Sequence, residues 1–221
     1  MKEWTRPDGR RFVSGEPDGE LPPGRVYAWA DEDDKARVRE LERLGFTVER
    51  RELFLELPTD PAAWSIPTAA PPPGVSFVTA DRVEEEQLRL LDDLLRQDVP
   101  GTDGWKWSPE GFREETYESA GFDPATYLVA FDERGEEIGL ARVWMRADQP
   151  RLGLIGVRAD WRRRGVARAL LAAALTAVRE RVAGDVHTGV DEANTASREL
   201  LFAFGGRTVG ASLELVREEG Q

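Results

Sequence analysis

The chain has 221 residues, enough for one large or two small domains, and a hydrophobic fraction of 40% is enough for a core. Its 42 acidic and 30 basic residues leave a net charge of −12, which argues against a nucleic-acid or anionic-membrane partner and mildly favours a cationic substrate such as an amine. With no cysteine there is no disulfide framework, no thiolate metal site and no thiol nucleophile; no metal is expected, and the absence suits a reducing compartment.

In chain order, Val26–Gly45 reads as a strand followed by a helix, and Leu53 and Leu55 belong to a further strand. The stretch Pro58–Gly74 carries six of the 14 prolines and reads as an extended linker. The expected division is therefore an N-terminal piece, 1–58, a Pro-rich linker, 59–74, and a main domain, 75–221. In the main domain, 75–79 is a first strand. Asp81 and Glu84 suggest a capping box before a helix carrying Leu88, Leu91, Leu94 and Leu95. Residues 98–125 read as irregular or partly helical. Two strands, 126–131 and 138–144, flank the turn residues Asp132-Glu-Arg-Gly135 as a hairpin.

The most informative stretch follows. A short apolar strand, 152–157, leads into Arg162-Arg-Arg-Gly165-Val-Ala167 and then into a helix from about 165 to 181. That helix places Ala167, Leu170, Leu171, Ala174, Leu175 and Val178 on one face. Strand, basic glycine turn and helix start together hold a phosphate. Glycine lets the backbone approach closely, first-turn N–H groups lack intrahelical partners, and the helix dipole favours an anion. A strand at 186–190, a helix from about 194 to 203 and two short strands near 207–209 and 212–216 complete the chain. The fold class is mixed α/β (α+β), a mostly antiparallel sheet flanked by helices, with a small N-terminal β-α-β-β half-unit. Neither Gly-x-x-x-x-Gly-Lys nor Gly-x-Gly-x-x-Gly occurs, which speaks against a nucleotide-binding protein of those types.

The chain also repeats. Shifted by 160 residues, Val26–Gly45 lies over Val186–Gly205 without a gap, with Val26/Val186, Asp31/Asp191, Glu32/Glu192, Ala36/Ala196, Leu41/Leu201 and Gly45/Gly205 identical. Leu53/Leu213 and Leu55/Leu215 continue the register. The N-terminal piece reads as a second copy of the closing unit, without the arginine-glycine turn.

Val157-Arg-Ala-Asp-Trp-Arg162-Arg-Arg-Gly165-Val-Ala167, followed by Asn194-x-x-Ser197-x-x-Leu200 and Phe204-Gly205, resembles the GNAT family of N-acetyltransferases across 75–216. Residues 26–57, with Leu44-Gly45-Phe46, resemble the tail of another such domain, which suggests a tandem organisation like that of mycothiol synthase with its first unit cut down. The resemblance implies that backbone groups of Ile155, Gly156 and Val157 pair with the pantetheine arm of acetyl-CoA, and that an N–H near Ile155 polarises the thioester. It further implies that Arg162, Arg163, Arg164, Gly165, Val166 and Ala167 cradle the pyrophosphate while Asn194 bonds the cofactor near its pantetheine end. Where the family often has a tyrosine as general acid, this chain has Leu201, and Gly206 replaces the phenylalanine after Leu-Gly.

His187, the sole histidine, is a candidate general base, since imidazole exchanges protons near neutral pH. Against it, a lone histidine is more often structural, and Tyr27 holds the same place in the repeat. Glu114, Glu115, Glu118, Asp123, Glu136 and Glu137 are acidic candidates with no feature to choose among them. Trp105 and Trp107, with Tyr117, fall in the family's variable substrate-binding region, where exposed rings stack on a substrate and buried ones pin a loop. The expected function is acetyl-CoA-dependent acetylation of a small-molecule amine; the alternative is a non-catalytic acyl-CoA-binding or interaction module. The N-terminal half-unit is expected to pack on the main domain or on a second subunit in a homodimer. With no apolar run long enough for a membrane helix and a polar start lacking a signal-peptide pattern, a cytoplasmic location is expected.

Overall fold

The computed structural model describes residues 2–6, 9–15, 21–67, 70–146 and 149–218. Among them lie strands β1 (Lys2–Thr5), β2 (Arg11–Ser14), β3 (Val26–Asp31), β4 (Thr47–Leu57), β5 (Ser76–Thr79), β6 (Tyr127–Phe131), β7 (Glu137–Trp144), β8 (Arg151–Val157), β9 (Val186–Asp191) and β10 (Arg207–Arg217). The helices are α1 (Lys35–Arg43), α2 (Glu85–Arg96), α3 (Pro109–Glu115), α4 (Val166–Arg179) and α5 (Thr195–Ala203). All ten strands join one sheet in the order β1-β2-β3-β10-β4-β9-β8-β7-β6-β5, antiparallel except at β2–β3 and β8–β9. This is the mixed, mostly antiparallel architecture that the sequence suggests.

Two cores cover the stretch of the sheet from β4 to β5. Leu170, Leu171, Ala174, Leu175 and Val178 of α4 pack with Leu201 and Phe204 near α5 in one cluster. Leu88, Leu91 and Leu95 of α2 join Phe112, Tyr127 and Leu140 in the other. The apolar spacing that predicts α4 thus corresponds to its buried face.

The local expectations differ from the structure at three points. Asp81 does not cap α2: Ala80–Arg82 is a 3-10 turn, the Asp81 carboxylate accepts from the Thr79 hydroxyl, and Glu84 stands at the cap position without a side-chain bond. Glu85 and Glu86 in the first turn complement the helix dipole instead. The two closing strands are one, β10, because register shifts at Thr208/Gly210 and Glu214/Leu215 absorb the irregularity without ending the pairing. The hairpin β1–β2, whose short strands carry no clear alternation, is an addition to the expected elements.

The arrangement of the two related units is the main topological feature. At the offset of 160 residues the element bounds coincide: β3 with β9, α1 with α5, β4 with β10. The caps coincide as well. Asp34 accepts from Arg37 N–H as Asn194 accepts from Ser197 N–H, and Gly45 and Gly205 after the helices have φ of 87° and 75°. Each unit leaves a gap between its own strands, and the other unit fills it: β10 lies between β3 and β4, and β4 lies between β9 and β10. The central β4–β10 pairing is self-complementary, with Arg207 opposite Glu56 and Val216 opposite Thr47. Leu53, Leu55 and Leu57 of β4 enter the same core as α4. Hydrogen bonding and packing therefore cross from 1–58 into 75–221. The proline-rich stretch packs too: Trp64 is buried against Phe204, ring centroids 4.9 Å apart, and donates to Pro58 O at 2.9 Å.

Candidate functional site

The site forms where β8 and β9 part. β8 pairs with β7 along its length, from Trp144↔Arg151 to Gly139↔Val157, but with β9 only at Arg151↔His187. The Thr188 hydroxyl donates to Leu152 O at 3.1 Å just beyond that bridge. Further on, among the described residues, no backbone bond joins the strands, so the β9-facing edge beyond the bridge is open except at Val157 O, which Arg162 occupies. Gly156 matters here because a Cβ would lie 3.0 Å from that of Leu95; its absence lets α2 close one wall.

At the open end the chain makes a 3-10 turn, Ala159–Trp161, and then the loop to α4. Arg163 and Gly165 have φ of 59° and 88°, the left-handed region, which costs a side-chain-bearing residue about 1–2 kcal/mol. Gly165 is the N-cap of α4 and no side chain caps the helix. Among the described residues, none of the backbone N–H groups of Arg163 through Arg168 donates within the chain. Six unsatisfied donors at a helix start form an anion cradle. The arginines have separate tasks. Arg162 donates through Nε to Val157 O at 3.1 Å and pairs with Asp98, tying the loop to β8 and to the end of α2. The Arg164 guanidinium lies 4.7 Å from the ring centre of Trp161, which packs on the core beneath the loop. Arg163 contributes the left-handed turn.

The cleft so formed has a volume of about 610 Å³, within the usual range for ligand sites, and is lined by Ile155, Gly156, Val157, Arg162, Arg163, Gly165, Val166, Ala167 and Asn194 among others. Arg164 is the one residue of the expected cofactor set outside that lining. Asn194 holds two places at once: its carboxamide oxygen caps α5 at 3.2 Å from Ser197 N, leaving its NH₂ as the donor for the cleft. An open strand edge, free N–H donors and basic charge on an acidic chain suit an extended ligand that carries a phosphate.

A second cavity of about 520 Å³ meets the first at Val99, Ile155, Asn194 and Ser197. Trp105 lines it. Trp107 and Tyr117 do not; Trp107 donates to Asp92 (2.8 Å) and Asp93 (2.9 Å) and pins the loop, and Tyr117 packs against Phe112 and Phe122. His187 lies at the closed end of the splay, bonded to Glu56 at 3.0 Å, and lines neither cavity. Nor do Glu114, Glu115, Glu118, Asp123, Glu136 or Glu137. Leu201 is 2% exposed and forms part of the second cavity's wall with no group able to donate a proton.

Five lining residues come from the N-terminal piece: Trp4, Arg6, Trp29, Arg50 and Glu52. None is marked by a local motif. Burial pushes the Glu52 carboxyl above its ordinary value; Arg50 and Arg151 oppose the rise, and Asp191 and Glu214 add to it.

Among known proteins, the acetyltransferase (GNAT) family model matches residues 88–205, more than half of the chain. A search of curated proteins found no match. Among solved structures, a GCN5-related N-acetyltransferase from Sphaerobacter thermophilus is 22% identical, with a TM-score of 0.71 over 88% of this chain and 59% of that one. A tandem GNAT protein from the clavulanic acid biosynthesis pathway is 16% identical, with a TM-score of 0.66 over 90% and 65%. A GCN5-related N-acetyltransferase from Kribbella flavida is 16% identical, with a TM-score of 0.60 over 88% of this chain and 69% of that one. At these identities the likeness is one of fold, and the chain spans about three-fifths of the length of the Sphaerobacter protein.

Proposed function

The chain belongs to the acetyltransferase (GNAT) family, and from that premise we propose that it transfers the acetyl group of acetyl-CoA to the amine of a small molecule. The observation that carries this reading is the junction of the two cavities at Ile155 and Asn194. A thioester whose pyrophosphate rests on the N–H groups of 163–168 and whose arm follows 155–157 ends at that junction. An N–H near Ile155 polarises its carbonyl, and the Asn194 NH₂ holds the arm. The second cavity delivers the amine to the same point, so that positioning supplies much of the rate. Residues 26–57 are a second copy of the closing unit that completes the sheet and walls the acceptor cavity. One cofactor site per chain follows, since the basic glycine loop occurs once.

A second reading, a non-catalytic acyl-CoA-binding module, is favoured by Leu201, which removes the acid that usually protonates the leaving thiolate. A thiol-release assay with acetyl-CoA and a panel of small amines decides between them. Amine-dependent thiol release supports the enzyme; tight acetyl-CoA binding with no release on any amine supports the module. Among the described residues no helix is long and apolar enough to cross a membrane.

A further inference from the structure

One carboxylate in the acceptor cavity differs from its neighbours. Glu214 is held by Arg10 at 3.0 Å, by Arg50 at 3.2 Å and by the Trp29 indole at 3.1 Å. Asp191 accepts from Ala193 N–H at 2.8 Å and lies 3.4 Å from Arg50. Among the described residues, the half-buried Glu52 accepts no hydrogen bond and forms no ion pair.

Glu52 reaches the cavity through a gap in β9. Its Oε1 lies 2.1 Å from the point that a Cβ on Gly189 would occupy, so any side chain there would evict the carboxylate. The other unit shows what this position holds when no gap is needed. At the same offset Gly189 corresponds to Trp29 and Glu52 to Ser212, so the β3–β10 pair has a large ring and a small hydroxyl where the β9–β4 pair has a void and an acid. The acid and the gap that admits it occur only beside the parted strands.

We propose that Glu52, carried by the N-terminal unit, is the base that accepts a proton from the acceptor amine. The inference rests on the acetyltransferase reading above. The charged groups around Glu52 are Arg50 on its own strand, Arg151 on β8, Asp191 on β9 and Glu214 on β10. Burial favours its neutral form, which makes the carboxylate a stronger base than one in water. In the step, the acceptor ammonium gives one proton to Glu52. The freed nitrogen pair bonds the acyl carbon as the carbon–sulfur bond breaks, and the second N–H proton ends on the departing sulfur. The products are the amide, the thiol and protonated Glu52, which returns its proton to solvent. No side-chain acid at position 201 is required.

The test compares the wild type with Glu52→Gln and Glu52→Asp, using acetyl-CoA with ethylamine, a cation at neutral pH, or hydroxylamine, which is largely unprotonated there. With ethylamine, Glu52→Gln should lose about 10²- to 10⁴-fold in kcat/KM at neutral pH and lose the acid limb of the pH profile. With hydroxylamine it should stay within about threefold of wild type, and Glu52→Asp should be intermediate with ethylamine. Carbon NMR of the protein without acetyl-CoA should show the Glu52 carboxyl titrating above the ordinary glutamate value. Equal losses with the two amines, no loss, no acetylation of ethylamine by the wild type, or an ordinary Glu52 titration would each overturn the proposal. Failure of acetyl-CoA to bind the wild type would overturn the acetyltransferase reading itself, whereas unchanged binding by Glu52→Gln confines any failure to the base. Stability supplies an opposite sign. A carboxyl raised in the folded state stabilises at low pH, and that stability is lost as pH rises from the ordinary value through the folded one. Glu52→Gln should therefore melt no lower than wild type at neutral pH.

Discussion

The two units 26–57 and 186–217 have the same element bounds, helix-cap positions and post-helix glycines, yet only the second lines the cleft of about 610 Å³. The difference lies beside the first strand. β3 is held on both edges, by β10 and by β2 through Phe12↔Tyr27 and Val13↔Ala28. β9 is held by β4 on one edge and on the other by a single bridge to β8. A strand paired on both sides satisfies its backbone and offers no groove. A strand that parts from its neighbour leaves backbone groups that a ligand can complete. The cleft comes from a failure of pairing, and the unit 26–57 supplies what the parted strands lack: a strand for the far edge of β9 and a wall for the second cavity.

The largest effect should come from removing the first unit. A chain lacking residues 1–58 loses β3 and β4, leaving one edge of β9 and both edges of β10 bare and stripping Leu53, Leu55 and Leu57 from the core. It should fail to fold, seen as loss of cooperative thermal unfolding and of solubility; a cooperative, acetyl-CoA-binding fragment would dissolve the view that the units depend on each other. Next, the matched glycines should separate the units. Gly45→Ala meets nothing closer than the Arg217 side chain at 3.7 Å and should cost only the left-handed backbone, about 1–2 kcal/mol. Gly205→Ala carries the same conformational cost, and its Cβ would also lie 2.6 Å from Ala63 O, so it should cost more in a denaturant titration. Equal losses would mean that the packing of 61–64 over the second unit is not rigid. The smallest effect concerns the loop. Changing Arg162, Arg163 and Arg164 together to Ala leaves the backbone donors in place and should weaken acetyl-CoA by about tenfold, roughly 1.4 kcal/mol. A pantetheine thioester without phosphates should be affected much less; equal losses in a binding titration would show that the arginines do not serve the phosphates.

Much of this was legible in local sequence. The arginine-glycine turn, the apolar face of α4 and the Asp132 hairpin follow from patterns a few residues long, and the register of the repeat from comparing the chain with itself. Asn194 was legible as a candidate from the resemblance, and the structure places it in the lining of both cavities and at the cap of α5. What local pattern could not show is the exchange of β4 and β10, because a strand's partner 150 residues away leaves no mark on its own alternation. Glu52 was hidden for the same reason: nothing in Arg51-Glu52-Leu53 distinguishes it from the many other acidic residues, and its place depends on Gly189 in another strand. The one available signal was the mismatch within the repeat, Trp29 against Gly189 and Ser212 against Glu52. His187 drew notice for its chemical type, but the bridge to β8 places it where the strands are still joined.

The central claim is that one acyl-CoA cleft exists per chain, at the helix start that only the second unit adjoins. A calorimetric titration of the full chain with acetyl-CoA, repeated on Gly165→Val and Gly45→Val, tests it most directly. One molecule should bind per chain, Gly165→Val should abolish binding with the fold retained, and Gly45→Val should keep it. Two molecules per chain, or undiminished binding by Gly165→Val, would contradict it.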